Sequence, residues 1–368
     1  TRRHIVHKSL GEGLALKNED AAYYVLRDER GGLEYLRSSR GIWRDGLAIR
    51  LGAFKCHVFS SFGEIHDFDG RCAELEQRLM GRGVPDVTTA LRELSVEKVL
   101  RPFGEMIAGD ALPVLVSGGM RTGTTPAVFS GRLSSFLKNA REFAGWPARD
   151  KVAGDETCLL LDALFTVNRH RHKPSWEGDE HIGDLLCLIP ETPSSDLWAW
   201  RIPLLWAIVA PLGRLAGDEG AAARSASLMD DWMLGHAVTR TFVELGADES
   251  RARYEVTLIG ILARHQGVST MRDMGILLRD MLVDSTVRDF LGFNLFGDRW
   301  WFNKESMDTL ISWLALCTAL RRLAGKKTAG ARKRALREAS DAAAELRHVV
   351  DASGYEVRVL ATLLGERP

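Results

Sequence analysis

One short segment near the C-terminus combines the side-chain types that bind sugars: Arg299-Trp300-Trp301-Phe302-Asn303, followed by Glu305. Aromatic rings can stack on sugar rings, while asparagine, arginine and glutamate side chains can hydrogen-bond to hydroxyl groups. The same tryptophan and phenylalanine residues can instead form core, because they bury large apolar areas. We therefore predict Trp300, Trp301, Asn303 and Glu305 as candidate carbohydrate contacts, with core packing as the alternative.

No motif in the sequence identifies a catalytic group. Two carboxylates with separated pKa values suffice for glycoside hydrolysis, but the sequence offers several acids and singles out none: Asp162, Asp230, Asp231, Glu255, Asp298 and Glu305. The G-x-S-x-G and H-E-x-x-H motifs of hydrolases and the phosphate-binding G-x-x-x-x-G-K-[ST] motif are absent. The catalytic residues therefore stay unassigned, and the sequence predicts no cofactor.

A polar stretch from Asn168 to His181 holds three histidines and two acids that could bind a metal ion. Basic residues alternate with these histidines, and adjacent positive charges oppose the binding of a divalent cation. We predict a solvent-exposed loop here and no metal site. The residues concerned are His170, His172, Asp179, Glu180 and His181.

Composition excludes several classes of function. The chain has 368 residues, which suggests two domains or one large domain with an appendage, and its formal net charge is zero. The sequence therefore lacks the basic field typical of nucleic-acid binding. Its five cysteines form no C-x-x-C pair, as expected of free thiols in a reducing compartment such as the cytoplasm. The longest apolar run, Ile202 to Leu212, contains two prolines and is shorter than the roughly 20 residues that span a bilayer.

Residues 1–66 have the pattern of short β-strands. Residues 23–26 and 33–36 predict a hairpin across a turn that contains two glycines. Apolar residues alternate in 47–51 and again in 54–59, which predicts two consecutive strands within residues 46–65. So few strands form only part of a β-sandwich, since a small sheet leaves its edges unpaired. We expect the remaining strands to lie upstream of Thr1.

Residues 67–368 have helical periodicity with short connections. Residues 196–215 are apolar on all sides, which is typical of a helix buried in a bundle. Residues 109–130 are rich in glycine and predict a loop between helices. The predicted fold class is mainly α, with a partial β-sandwich over residues 1–66 and an α-helical domain over residues 67–368.

Several segments resemble the C-terminal region of large α-amylase-family glycoside hydrolases, namely the end of the β-sandwich that follows the catalytic barrel and a helical extension after it. They are Tyr23–Asp28, Gly32–Ser38, Leu47–Leu51, Gly52–Phe54, His57–Phe59, Gly81–Pro85, Phe290–Asn294 and Trp301–Glu305. The resemblance implies an accessory part of an enzyme that acts on α-glucans and supports the catalytic barrel or its substrate cleft. The family's catalytic residues lie on a barrel that this chain does not contain, so none can be carried over.

The partners implied by this resemblance are a catalytic barrel domain or chain of the same enzyme and an α-glucan, without nucleic acid or membrane. Two other hypotheses stay open. The helical domain could be a glycan-active enzyme of its own, using Trp300, Trp301 and nearby acids. It could also be a protein–protein interaction module with no carbohydrate role.

Overall fold

The computed structural model describes residues 7–49, 51–54, 56–171, 180–189, 197–266, 271–326 and 328–365. The chain divides into two compact units between Glu97 and Lys98. The first unit extends beyond residue 66, where the predicted β segment ends, because Cys72 and Leu75, on the first helix after the sheet, pack in one apolar cluster with Tyr23 and Leu36 of the sheet.

The first unit is built around a three-stranded antiparallel sheet in the order β2-β1-β3. Its elements are α1 (Leu10–Gly13), β1 (Ala22–Asp28), β2 (Leu33–Ser38), α2 (Ser39–Asp45), β3 (Phe59–His66), α3 (Arg71–Leu79) and the start of α4 (Val87–Ile107). The predicted hairpin is confirmed: β1 and β2 pair with Val25 opposite Leu36. Gly32 completes the turn with a φ of +65°, a backbone conformation that glycine adopts without steric cost.

Both faces of this sheet are covered. Tyr23 and Leu36 face α3 and the start of α4, whereas Tyr24 and Leu26 pack with Ile42 of α2 on the other side. Among the described residues, no strand pairs with the outer edge of β3.

Of the two strands predicted within residues 46–65, the first is wrong, and the second begins later in the chain than its alternation indicates. Residues 47–49 and 51–54 have no regular structure, and the strand that follows is β3, which begins at Phe59. Alternation gives a segment the period of a strand, but a strand also needs a neighbour for its backbone hydrogen bonds. Ile49 and Leu51 remain largely exposed.

The second unit consists of helices and one short hairpin, so the prediction of a mainly α fold with a short N-terminal β segment is confirmed. Its remaining elements are α5 (Ala111–Thr122), α6 (Ala127–Ala144), α7 (Asp150–His170), α8 (Glu180–Leu186), α9 (Leu197–Val209), a 3-10 helix (Leu212–Leu215), α10 (Ala221–Asp231), α11 (Leu234–Glu244), α12 (Glu249–Arg264), α13 (Met271–Met281), α14 (Ser285–Phe290), β4 (Asn294–Phe296), β5 (Arg299–Trp301), α15 (Lys304–Leu323), α16 (Ala329–Ala352) and α17 (Val357–Gly365).

The loop predicted over residues 109–130 is largely helical, because most of it belongs to α5 and α6. The glycines misled the prediction. At Gly119 a Cβ atom would lie 2.3 Å from the ring of Phe165, so the glycine allows α5 to approach α7 closely. The loop predicted around His172 and Asp179 lies outside the described residues.

The apolar segment after residue 196 is the buried centre of the second unit, as predicted. Trp200 and Trp206 of α9 are fully buried. Between them, Arg201 forms a 2.8 Å ion pair with Glu255 of α12, and its guanidinium lies 4.5 Å from the ring centroid of Phe242. No helix in the described part of the chain is long and apolar enough to cross a membrane.

Candidate functional site

The predicted sugar-contact residues lie on and directly after a small β-hairpin. Strands β4 and β5 pair antiparallel, with Leu295 opposite Trp300. Gly297 takes a φ of +66° at the turn between them. The hairpin places Leu295 and Trp300 side by side on one face, since facing residues of an antiparallel pair point to the same side.

Trp300 is the more exposed of the two tryptophans in the hairpin. Its side chain is 50% exposed, and its cross-strand neighbour Leu295 is 57% exposed. Phe296, at the end of β4, is 80% exposed. The core-packing alternative therefore does not describe Trp300.

Trp301 and Phe302 anchor the base of the hairpin. Trp301 is partly buried and its backbone bridges to Glu356, while Phe302 is only 5% exposed. The Phe302 ring lies 6.5 Å from that of Phe293 and 6.1 Å from that of Tyr355. Packing thus accounts for these two aromatic residues, and their burial fixes the strand that displays Trp300.

Asn303 and Glu305 begin the helix that follows. The Oδ1 atom of Asn303 accepts a hydrogen bond of 2.8 Å from the backbone N–H of Ser306 and so caps α15. The Asn303 backbone N–H donates to the carbonyl of Leu291 at 2.8 Å. Glu305 is exposed in the first helical turn, where a negative charge is favourable. Its carboxylate makes no hydrogen bond or ion pair with the described residues.

Charged contacts hold the hairpin base further. Lys304 Nζ lies 3.0 Å from Asp351 and 5.3 Å from the ring centroid of Tyr355. The hydrogen bond with the Tyr355 hydroxyl, followed by that with the Asp351 carboxylate, raises the pKa of Lys304 above its ordinary value. Arg299 pairs with Glu356 at 3.3 Å. Ion pairs and aromatic contacts therefore hold the base of the hairpin that carries Trp300.

Two of the carboxylates considered for catalysis have structural partners. Asp162 accepts hydrogen bonds from the backbone N–H and the hydroxyl of Thr125 at 2.5 and 2.7 Å. Glu255 pairs with Arg201 in the core. Asp298 lies exposed at the hairpin turn. Within the described ranges, no group of three His, Cys, Asp or Glu residues could hold a metal ion.

A second polar centre, in the first unit, escaped the sequence analysis. The Asp28 carboxylate is 1% exposed and accepts hydrogen bonds from His57 Nδ1 at 2.7 Å and from the backbone N–H groups of Val58, Arg30 and Gly31 at 3.1, 3.2 and 3.1 Å. The His57 hydrogen bond, followed by that of Val58, lowers the Asp28 pKa to about 2. Gly31 permits this approach, since a Cβ there would lie 2.4 Å from Asp28 Oδ2.

The only sequence signal for this centre is an acid directly before the glycine-rich turn. Asx residues commonly hydrogen-bond to the backbone of such turns. Nothing in the local pattern connects Asp28 with His57, which is 29 residues away in the chain.

Comparisons of the chain with protein-family models, with curated proteins and with solved structures found no match.

Proposed function

We propose that this chain is the C-terminal accessory part of an α-amylase-like glycoside hydrolase that acts on α-glucans. The catalytic barrel would belong to another domain or chain, and no catalytic residue is assigned here. Two sets of observations support the proposal. The segments that resemble this family over residues 23–28 and 32–38 correspond to the paired strands β1 and β2, and those over 290–294 and 301–305 flank the exposed hairpin.

The observation that carries the glucan part of the proposal is the exposure of Trp300 on an anchored hairpin. Leaving half of a tryptophan side chain in water forgoes roughly 2–3 kcal/mol of hydrophobic stabilisation at about 25 cal/mol per Å². Trp301 and Phe302 beside it are partly or fully buried. An exposed indole on a fixed strand suits stacking against a sugar ring, and the free carboxylate of Glu305 can accept hydrogen bonds from hydroxyl groups.

The accessory part of the proposal is supported by the sheet of the first unit. The outer edge of β3 offers backbone N–H and C=O groups that can pair with an added strand. Leu51 and Val58, in the segment before β3, expose apolar side chains. We propose that a strand from the barrel-bearing part of the enzyme pairs with this edge.

We also propose that the chain works in the cytoplasm. All five cysteines are free, including the exposed Cys56 and Cys187. Exposed thiols are stable in a reducing compartment and tend to be oxidised outside it.

The experiment is a thermal-unfolding assay of the purified chain with maltoheptaose, run beside a reducing-sugar assay on starch. A ligand that binds only the folded state raises the melting temperature. We expect a concentration-dependent rise without reducing-sugar product. Trp300→Ala should abolish the rise. The control is Phe68→Ala, which removes an exposed aromatic side chain of the first unit, away from the hairpin in the chain.

Each other outcome counts against the proposal in a defined way. A rise together with product would favour the glycan-active enzyme, and Glu305→Gln and Asp298→Asn would then test the nearby acids. No rise would overturn the glucan contact and favour the interaction module. A rise that survives in Trp300→Ala would move the contact away from the hairpin.

A further inference from the structure

A large cavity opens in the first unit beside the Asp28–His57 pair. Its volume is about 1000 Å³, at the upper end of the range of small-molecule sites, roughly 300–1,000 Å³. Its walls come from the end of β1, from β2, from the segment before β3 and from residues 80–83. All of these walls belong to the first unit.

The charged groups that line the cavity are mostly positive. Arg30, Arg37 and Arg82 line it, and Asp28 is the one carboxylate among its lining residues. The negative charge of Asp28 is already stabilised by four hydrogen-bond donors. A site with this balance attracts anions, and arginine is the side chain best suited to bind phosphate or carboxylate groups.

His57 presents one ring nitrogen that is still available. Because the Asp28 carboxylate is ionised, His57 Nδ1 carries the hydrogen and donates it at 2.7 Å. This fixes the ring and leaves Nε2, which makes no hydrogen bond with the described residues. The side chain is 20% exposed and lines the cavity. In its protonated form the imidazole can donate from Nε2 to an anion while Asp28 balances its charge.

Arg30 lies on the same side of the cavity. Its Nη1 atom is 3.1 Å from the sulfur of Cys56, the residue directly before His57. Arg37 is held differently: its two Nη atoms donate to the carbonyls of Leu36 and Gly81, each at 2.8 Å. Arg30 therefore has more donors left for a ligand than Arg37 has.

Aromatic rings form the apolar part of the wall. The Phe59 ring stacks on His57 with centroids 5.8 Å apart, and Tyr35 meets His57 edge-on at 5.8 Å. Inorganic phosphate alone would leave most of the volume and these rings without contacts. The ligand that fits combines an anionic group with a ring of moderate size.

We propose that this cavity binds a phosphorylated sugar, with the phosphate between Arg30 and His57 and the sugar ring against Tyr35 and Phe59. The phosphate half follows from the charges and the available donors. The choice of a sugar as the ring rests on the proposed function in glucan metabolism. The cavity belongs to the first unit, and the Trp300 hairpin belongs to the second.

The test is isothermal titration calorimetry of the full chain with glucose 1-phosphate, glucose and inorganic phosphate. We expect saturable binding of glucose 1-phosphate, weaker binding of phosphate and none of glucose at this site. Arg30→Gln and His57→Gln should each weaken glucose 1-phosphate binding at least about tenfold, since each removes a hydrogen bond to a charged group. Arg71→Gln, which removes an exposed arginine of α3 that does not line the cavity, should bind as the wild type does.

Nuclear magnetic resonance of the His57 ring supplies a second measurement. The Nε2 resonance should shift during the titration of the wild type with glucose 1-phosphate, whereas a merely structural histidine would not respond. Arg30 is exposed, so its variant should fold even if His57→Gln does not. No saturable binding, or undiminished binding in Arg30→Gln, would overturn the site. Phosphate binding as tight as that of glucose 1-phosphate would overturn the sugar assignment.

Two of the variants already named separate this proposal from the proposed function. Trp300→Ala should leave glucose 1-phosphate binding unchanged. Arg30→Gln should keep the melting-temperature rise with maltoheptaose. Loss of both responses in either variant would contradict the assignment of two separate sites.

Discussion

The two β-hairpins in the described part of the chain use their apolar residues in opposite ways. In the β1–β2 hairpin, Tyr24 and Leu36 are almost fully buried on opposite faces. In the β4–β5 hairpin, Leu295 and Trp300 face solvent. Each hairpin turns through a glycine in the left-handed region.

The difference originates in what surrounds each hairpin. The first has a third strand beside it and helices over both faces, so its aromatic residues contribute to folding. The second is held from one end, where Phe302 packs and Asn303 caps α15. Folding therefore leaves Trp300 available, which is what a ligand contact requires. Strand sequence alone does not distinguish the two cases.

The largest expected effect comes from replacing one leucine in each hairpin by alanine and comparing the losses of stability. Leu36→Ala should destabilise the protein by about 3 kcal/mol, because Leu36 is fully buried and a cavity is left behind. Leu295→Ala should change stability by no more than about 0.5 kcal/mol, as expected for an exposed position. Urea unfolding followed by circular dichroism measures both. Equal losses would show that the second hairpin is part of a packed core.

Acid should weaken the first hairpin at Asp28. The folded-state pKa of this carboxyl is about 2 against an ordinary value of 3.8, because of the hydrogen bonds from His57 and Val58. A lowered pKa means that ionised Asp28 stabilises the folded state above about pH 4, and that this contribution is lost as pH falls toward 2.

Thermal unfolding between pH 5 and pH 2, at about half-unit steps, measures this loss. We expect the melting temperature of Asp28→Asn to fall less steeply than that of the wild type across the window. Asp69→Asn is the control for general acid effects, because Asp69 lies exposed in the same unit. The same slope in Asp28→Asn and the wild type would contradict the prediction.

The turn glycines give a smaller, matched contrast. Gly32→Ala and Gly297→Ala each force an alanine to a φ near +65°, and the added Cβ meets no atom within 4 Å at either site. The backbone strain is about 1 kcal/mol in each case. For Gly32→Ala, this strain should lower the free energy of unfolding, because the β1–β2 hairpin is central to its unit. The β4–β5 turn can open locally instead, so Gly297→Ala should mainly speed amide hydrogen exchange there.

The control for both variants is Gly13→Ala. Gly13 lies in α1 without a left-handed backbone, and its added Cβ also meets nothing within 4 Å. This variant should not lose stability. A loss in Gly13→Ala as large as in Gly32→Ala would show that the cost does not come from the backbone conformation.

Local sequence patterns predicted the elements whose structure is decided locally. Two apolar stretches and a Gly-Gly turn predict the β1–β2 hairpin. Apolar residues on all sides of α9 predict that this helix is buried. The strand predicted for residues 47–51 does not form, because an alternating segment also needs a partner strand. The loop predicted over residues 111–122 is a helix instead. Its Gly119 allows close packing against Phe165, which is a contact between residues distant in the chain.

The candidate sites divide in the same way. The composition of residues 299–305 predicts a sugar-contact segment, but only packing distinguishes the exposed Trp300 from the anchoring Trp301. The Asp28–His57 pair depends on the register of β1 against β3, and the cavity beside it depends on residues 80–83. A single sequence carries no record of such long-range pairs.

Trp300→Ala should cost much less stability than a core substitution in the same segment. Because half of the Trp300 side chain is exposed, the free energy of unfolding should fall by about 1 kcal/mol. Phe302→Ala, two residues later, should lose about 3 kcal/mol, because Phe302 is 5% exposed and packs between two aromatic rings. Urea unfolding of both variants measures the contrast. If Trp300→Ala lost as much stability as Phe302→Ala, the indole would be a structural residue, and a loss of maltoheptaose binding in that variant would no longer identify a contact.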